Sequence, residues 1–282
     1  MPPSSTARGF SRRDVLKGVA AAGIGTATGG IAHGYLYERH HIELTRQTLS
    51  VSGLPTALSG LRVGFLTDFH RSDTVSHDLV DRAVRLIMAE APDLIVLGGD
   101  YVTWGDRRFV APVAEALAPL SAPHGVFAVL GNHDDDRDMP AALMAKGFAV
   151  LRDARTRLTV RGETLDLAGI RFWTHRMTDI AYVLRGAAPN VFLLAHTPKR
   201  LVEAAALAVP LVLSGHTHGG QIVLPGIGAV AAREFPVIAG AGRRDSTAIF
   251  VSRGVGTVYV PVRLNCPPEV ALLTLQPVTP AQ

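Results

Sequence analysis

The chain has 282 residues, 48% of them hydrophobic, a net charge of +4 and a single cysteine, Cys266. The apolar content is enough for a sizeable core, and one cysteine excludes an internal disulfide and a thiolate metal site. Residues 1–36 carry Arg8, Arg12, Arg13 and Lys17 against Asp14 alone, which leaves a net +1 for everything after them. The basic balance is therefore a feature of the N-terminus and gives no support for nucleic-acid binding, which needs a basic stripe on the folded part.

In chain order, Ser11-Arg12-Arg13-Asp14-Val15-Leu16-Lys17 comes first, close to the twin-arginine export pattern Ser-Arg-Arg-x-Phe-Leu-Lys with Val15 in place of Phe. Gly18 to Tyr37 follows without Lys, Arg, Asp or Glu and is rich in Ala, Gly and Thr. Such weak hydrophobicity suits an export signal better than a spanning helix. Ala27-Thr28-Gly29 is a poor cleavage site, so an uncut segment would stay on as a weak membrane tether. Residues 1–38 are read as signal or tether and 39–282 as one domain.

Ile42 to Val51 alternates imperfectly and reads as a first strand. Five apolar, strand-like runs then each end in metal-ligand residue types. Leu61 to Leu66 leads to Asp68-Phe69-His70, and Leu94 to Leu97 to Gly99-Asp100. Val126 to Leu130 leads to Gly131-Asn132-His133-Asp134, Val191 to Leu194 to Ala195-His196, and Leu211 to Leu213 to Gly215-His216-Thr217-His218-Gly219-Gly220. The glycines of the last string permit a sharp turn and keep bulk away from the imidazoles, and alternate residues on an extended segment aim both rings at one volume. Asp78 to Glu90 has helical apolar spacing, with Ser76 as N-cap and Pro92 beyond its end. Val110 to Leu120 and Pro198 to Ala206 are weaker helices. Arg157 to Phe172, turning at Gly162, predicts a hairpin. Ile249 to Val251, Val258 to Val262 and Val270 to Leu275 read as late strands of a second sheet.

Strand, ligand, helix, repeated, is an α/β pattern, and such sheets collect functional groups at the carboxyl ends of their strands. Carboxylates, an Asn carbonyl and imidazoles converging there suit two adjacent first-row or divalent ions. The run Asp134-Asp135-Asp136 reads as a solvated loop rather than a third metal site. His33, His40, His41, His77, His124 and His175 lie outside these strings and need no special role.

The order Asp-x-His, Gly-Asp, Gly-Asn-His-Asp, His, Gly-His-x-His resembles the calcineurin-like metallophosphoesterase superfamily over roughly residues 60 to 220. The resemblance implies an α/β/β/α sandwich of two sheets with helices outside and a dinuclear metal site at the strand ends. It implies Asp68, His70, Asp100 and His218 on one ion, and Asp100 as bridge with Asn132, His196 and His216 on the other. His133 is then the non-ligand histidine that contacts the phosphate and protonates the leaving oxygen, while a metal-bound hydroxide attacks phosphorus. The ion pair is expected to be Mn, Fe or Zn. Gly99-Asp100-Tyr101-Val102-Thr103 lacks both the Asp-Arg-Gly continuation of the serine/threonine phosphatases and the tyrosine of the purple acid phosphatases. Gly215 to Ile222, Val251 to Gly256 and Arg263-Leu264 with Pro267-Pro268-Glu269 resemble the bacterial phosphodiesterase branch.

The expectation is thus a phosphodiesterase or phosphatase, carried by the twin-arginine translocation machinery to the periplasm or the outer face of the cytoplasmic membrane. Its substrate is a phosphoester, lipid- or envelope-linked in the membrane-associated case. A pyrophosphate hydrolase of a UDP-diacylglucosamine-type nucleotide-lipid is an alternative that export disfavours. A non-catalytic metal-binding envelope factor ranks low because every ligand position is filled. Substrate choice is expected from the loops Trp104 to Phe109, Asp135 to Pro140 and Phe172 to Met177.

Overall fold

The computed structural model describes residues 12–278; the twin-arginine string begins at Ser11, outside the described residues. Helix α1 (Arg12–Leu36) leads the chain, and no helix among the described residues is long and apolar enough to cross a membrane.

Two six-stranded sheets follow. The first runs β1 (Glu43–Val51), β14 (Glu269–Pro277), β2 (Leu61–Leu66), β3 (Leu94–Leu97), β4 (Val126–Ala128), β5 (Ala149–Val150). The second runs β12 (Gly240–Arg244), β13 (Thr247–Val251), β9 (Leu211–Ser214), β8 (Val191–Leu194), β7 (Glu163–Gly169), β6 (Ala154–Val160). A small hairpin, β10 (Val223–Leu224) with β11 (Gly228–Ala229), stands apart. Within the sheets β2, β3 and β4 pair in parallel, as do β7, β8, β9 and β13.

Strand alternation assigns the layers. Leu94 and Val96 of β3 face the second sheet, where they meet Phe192 and Leu194 of β8 and Leu211 and Leu213 of β9. Their neighbours Ile95 and Leu97 face outward onto α2 (His77–Ala89), α3 (Val110–Leu117) and α4 (Asp138–Met144). Val191, Leu193 and Val212 face outward from the second sheet onto α5 (Met177–Val183) and α6 (Leu201–Ala206). Burial on both faces is why these strands read as unbroken apolar runs. The layers are helix, sheet, sheet, helix, as expected.

Helix α2 begins where expected: the Ser76 hydroxyl accepts from Leu79 N at 3.3 Å, satisfying one of the free amides of the first turn. The β6–β7 hairpin turns at Arg161-Gly162. Two late strands differ from expectation. β14 joins the first sheet, parallel to β1 and antiparallel to β2, because Ala271, Leu273 and Leu275 fill the inter-sheet core from that side. Val258 to Val262 is no strand: Tyr259 has φ +60° and is 78% exposed, so the segment turns outward at the rim of the site described next.

Candidate metal centre

The carboxyl ends of β2, β3 and β4 of one sheet meet those of β8 and β9 of the other along one edge. Every candidate ligand lies within six residues of a strand end there, and the fold brings them together. Ligand atoms of Asp68, His70 and His218 lie within 4.8 Å of one another, as do those of Asp100, His196 and His216. A third such group joins His70, Asp100 and His133, sharing His70 with the first group and Asp100 with the second. His70 Nε2 faces His218 Nε2 at 3.0 Å, His218 Nε2 lies 3.4 Å from Asp68 Oδ1, and His196 Nε2 lies 3.1 Å from Asp100 Oδ2. The two histidines of the last string do not share one target, because neither is extended: His216 has φ +71° and His218 φ +51°.

Asp68, His70 and Asp100 also hold left-handed backbone, with φ from +47° to +55°. Each such residue costs about 1–3 kcal/mol and persists only when its surroundings fix it. Here the neighbouring loops clamp one another. Asp68 N donates to Gly99 O at 2.9 Å and His70 N to Asp100 O at 3.0 Å. Asp134, outside the ion groups, accepts from Asp100 N at 2.8 Å, Tyr101 N at 2.7 Å and Gly131 N at 2.9 Å, tying two ligand loops together. Asp68 receives His216 N on both oxygens, at 3.0 and 3.1 Å. The glycines Gly131 and Gly215 serve close approach rather than turning: a Cβ on Gly131 would overlap Asp100 Oδ1, and one on Gly215 would overlap Asp68 Oδ2. The bulk they exclude would displace the carboxylates, not the imidazoles.

Electrostatics and unmet bonding both suit cations. Burial drives His70 and His216 down to about 3 and His218 well below its usual range, so all three rings are neutral, the form a metal ligand requires. Burial pushes Asp68 up to about 6. Burial also opposes charge on Asp100, but His196 outweighs it and holds the carboxylate ionised. His196 is the exception among the rings: burial would lower it, yet Asp100 raises it to about 10, placing a positive charge where a cation would otherwise supply one. Asn132 Oδ1 and His196 Nε2 are buried with no hydrogen-bond partner, although the nitrogen lies 3.1 Å from Asp100 Oδ2. A buried polar atom left so costs about 1–3 kcal/mol, and an amide oxygen and an imidazole nitrogen are both cation ligands.

His133 N donates to Asp100 Oδ1 at 2.9 Å, and its ring lies edge-on to that of His70 with centroids 4.9 Å apart. Trp104 N donates to His133 Nδ1 at 3.1 Å, and the Trp104 ring centroid is 4.4 Å from that of His133. A cleft of about 390 Å³ opens over His70, Asn132, His133 and His216 and is walled by Ile222, Val230, Phe235 and Val258. Of the loops expected to select substrate, Trp104 borders a second cleft, and Phe172 packs at 5.2 Å on His216, but no residue of Asp135 to Pro140 lines either cleft.

Two residues behind the ligands were given no role by the sequence. Arg263 is fully buried; its guanidinium donates to the carbonyls of Arg253, Gly254, Gly256 and Cys266 and lies 3.3 Å from His218 Nδ1. Thr103 Oγ1 lies 3.3 Å from His70 Nδ1. Such second contacts orient ligating rings. Their partners are far apart in sequence, so no local pattern marks them.

The family model for calcineurin-like phosphoesterases matches residues 61–220. An uncharacterised metallophosphoesterase of Bacillus subtilis, YkuE, is 32% identical over 283 residues, covering 95% of this chain and 98% of that one. The phosphodiesterase YaeI of Escherichia coli is 31% identical over 276 residues, covering 94% and 99%. An uncharacterised metallophosphoesterase of Aquifex aeolicus is 32% identical, covering 85% and 94%. With the ligand-bearing sheet edge, these likenesses show that the chain belongs to the calcineurin-like phosphoesterase family and is a phosphoester hydrolase.

Proposed function

We propose that the chain hydrolyses phosphodiesters with two divalent cations, one held by Asp68, His70, Asp100 and His218 and the other by Asp100, Asn132, His196 and His216. The observation that carries this is the position of Asp100, whose Oδ2 lies 3.1 Å from His196 Nε2 of one ligand group and 3.5 Å from His70 Nε2 of the other. When bound, such a pair supplies Lewis acidity to the phosphoryl oxygens and lowers the pKa of a bound water toward neutrality. The chain supplies the rest. Asn132 offers its unpartnered carbonyl oxygen. Asp134 and Thr103 hold the ligand loops and the His70 ring in place.

His133 holds a proton at Nε2. Its Nδ1 accepts from a backbone amide, which has no rotor and no other role to play, so the ring proton is on the opposite nitrogen. The same bond denies the ring a second proton, and burial lowers its pKa further. His133 therefore acts as a neutral hydrogen-bond donor to a phosphoryl oxygen, strengthening as charge builds there, rather than as an imidazolium acid for the leaving group. The YaeI name supports a diester substrate. Hydrolysis by the purified chain, stripped with chelator and reloaded with Mn, Fe or Zn, tests the reading: activity must return with metal and saturate at two ions per chain. Saturation at one ion, or activity without metal, overturns it.

The twin-arginine string supports export, with residues 1–38 as signal or tether, and action at the outer face of the cytoplasmic membrane. Retention of residues 30–38 in the mature protein is part of this reading, since that stretch packs on the domain: Gly34 abuts Arg263, and Glu38 Oε1 accepts from Cys266 N at 2.6 Å.

A further inference from the structure

Tyr259 is held in strained backbone with its ring in water. Val260 N donates to Val258 O at 2.7 Å, closing a three-residue turn with Tyr259 at its apex and φ at +60°. A γ-turn with positive φ is rare and strained, and a bulky aromatic at that φ is an outlier. Its ring is nevertheless 78% exposed, so no core packing compensates. Gln221 fixes the turn: its Nε2 donates to Val258 O at 3.1 Å and Val260 O at 2.9 Å, and its Oε1 accepts from Val258 N at 2.9 Å. Trp104, at φ +54° and 67% exposed, stands beside it, with the ring centroids 5.5 Å apart.

The exposed apolar surface continues from these rings to the N-terminal helix. Val260 and Ile227, the latter at the tip of the β10–β11 hairpin, are both exposed. Leu264 joins that hairpin to α1: its carbonyl accepts from Val223 N at 2.8 Å, and a Cβ on Gly30 would lie 3.9 Å from its methyl groups. The end of α1 and the residue after it carry Ile31, Tyr35, Leu36 and Tyr37, all exposed. Arg39 links this end back to the aromatic pair. Its guanidinium lies 4.2 Å over the Tyr35 ring and reaches Thr74 O at 3.5 Å, and Thr74 borders the cleft that Trp104 and Tyr259 also border. Hairpin, turn, Trp104 loop and helix end therefore make one face beside the metal cleft, which Val230, Tyr259 and Val260 help to wall. Met144 of α4 and Val202 of α6 are by contrast single exposed apolar residues on their helices, the ordinary scatter of a protein surface.

We infer that this face docks on a lipid bilayer, with Trp104, Tyr259, Val260 and Ile227 in the headgroup region and the end of α1 alongside, so that the metal cleft opens at the membrane surface. Trp and Tyr rings with aliphatic neighbours and a bordering arginine are the set that settles at a membrane–water interface. The side chains stand out from separate loops instead of lining a groove, which fits a fluid phase better than a shaped protein partner. The helix read as a tether lies within the same face. This deepens the tether reading of residues 1–38, which requires only that α1 be retained; here the domain itself touches lipid.

The chain has two tryptophans, so Trp173→Phe leaves Trp104 as the sole reporter. The full-length, metal-loaded Trp173→Phe protein is mixed with phosphatidylcholine–phosphatidylglycerol vesicles brominated near the top of the acyl chains. It should sediment with the vesicles, and its Trp104 emission should shift to the blue and be quenched. Adding Ile227→Ser, Tyr259→Asn and Val260→Ser, with Asn chosen because it tolerates left-handed backbone, should weaken partition by about tenfold or more through lost apolar burial, with the circular dichroism unchanged. Sedimentation with Trp104 unquenched overturns this inference and leaves the tether reading standing, whereas no sedimentation overturns both. A folded multiple variant that partitions like its parent also overturns the inference. A dimer that the multiple variant dissociates, with Trp104 unquenched by lipid, overturns it in favour of a second copy of the chain on this face.

Discussion

Gly34, near the end of α1, meets Arg263 backbone to backbone: Arg263 N donates to Gly34 O at 3.3 Å, and a Cβ on Gly34 would overlap the Arg263 carbonyl oxygen. Arg263 in turn reaches His218 Nδ1, and Cys266 Sγ reaches His218 O at 3.2 Å. The N-terminal helix thus abuts the back of a candidate ligand. Gly34→Val should overpack this contact at about 1–3 kcal/mol, lowering Tm by several degrees. It should also weaken retention of the ion assigned to the His218 group, read as metal content after dialysis against chelator. A drop in Tm with both ions fully retained would confine α1 to packing.

Asp100→Asn removes charge from the residue proposed to serve both ions, whose carboxylate approaches His70 and His196 alike. Metal content should fall for both ions and turnover should collapse, whereas His70→Ala should chiefly loosen the group of Asp68 and His218. Elemental analysis of the dialysed variants distinguishes them. Two ions per chain with normal turnover in Asp100→Asn would refute the bridge.

His133→Asn should keep the fold and both ions while slowing turnover by about 10²–10³-fold, the usual cost of losing a transition-state donor. Because Nδ1 is occupied by Trp104 N, the loss should be alike for nitrophenyl and alkyl leaving groups. A loss that shrinks for nitrophenyl esters would restore the leaving-group acid role implied by the family resemblance.

Asp166 is a buried carboxylate remote from the site, held by Arg157 Nε at 2.9 Å, Arg155 Nη1 at 2.6 Å and Ala188 N at 2.6 Å. Burial opposes its charge, but the Arg157 hydrogen bonds outweigh that and hold it below the usual carboxylate range. A depressed folded pKa stabilises above the unfolded value near 4 and loses that contribution as pH falls through the folded value. Asp166→Asn should therefore cost about 1–2 kcal/mol at pH 7, kept small because both arginines are partly exposed and screened. The deficit relative to the native chain should shrink below about pH 4. Denaturant titrations at pH 7 and pH 3 check this; an equal deficit at both would assign it to packing.

Replacing both Arg12 and Arg13 with Lys should strand folded, metal-loaded enzyme in the cytoplasm. Fractionation with activity measured in each compartment reads the result. Equal export of the double-Lys protein would exclude the twin-arginine route.

The sequence by itself determined the strand–ligand–helix rhythm and the ligand strings, while the two-sheet layering came with the family resemblance. Runs such as Leu94–Leu97 and Leu211–Leu213 are apolar on both faces because each strand lies between a sheet and a helix layer. The Ser76 cap and the Gly162 turn are set within a few residues, so local chemistry fixed them. Which strand neighbours which was decided elsewhere. Val270–Leu275 is as apolar as any central strand, and only the shape of the inter-sheet core seats it between β1 and β2. Tertiary structure alone brought Gln221 to Val258 and Val260, Arg263 to His218, and Gly131 against Asp100. Those contacts join residues 31 to 45 positions apart, and a hydrogen bond or steric overlap between distant loops leaves no periodicity along the chain. The left-handed backbone of Tyr259, Trp104 and the ligands is likewise imposed from outside, since nothing in a tyrosine or a histidine favours it locally.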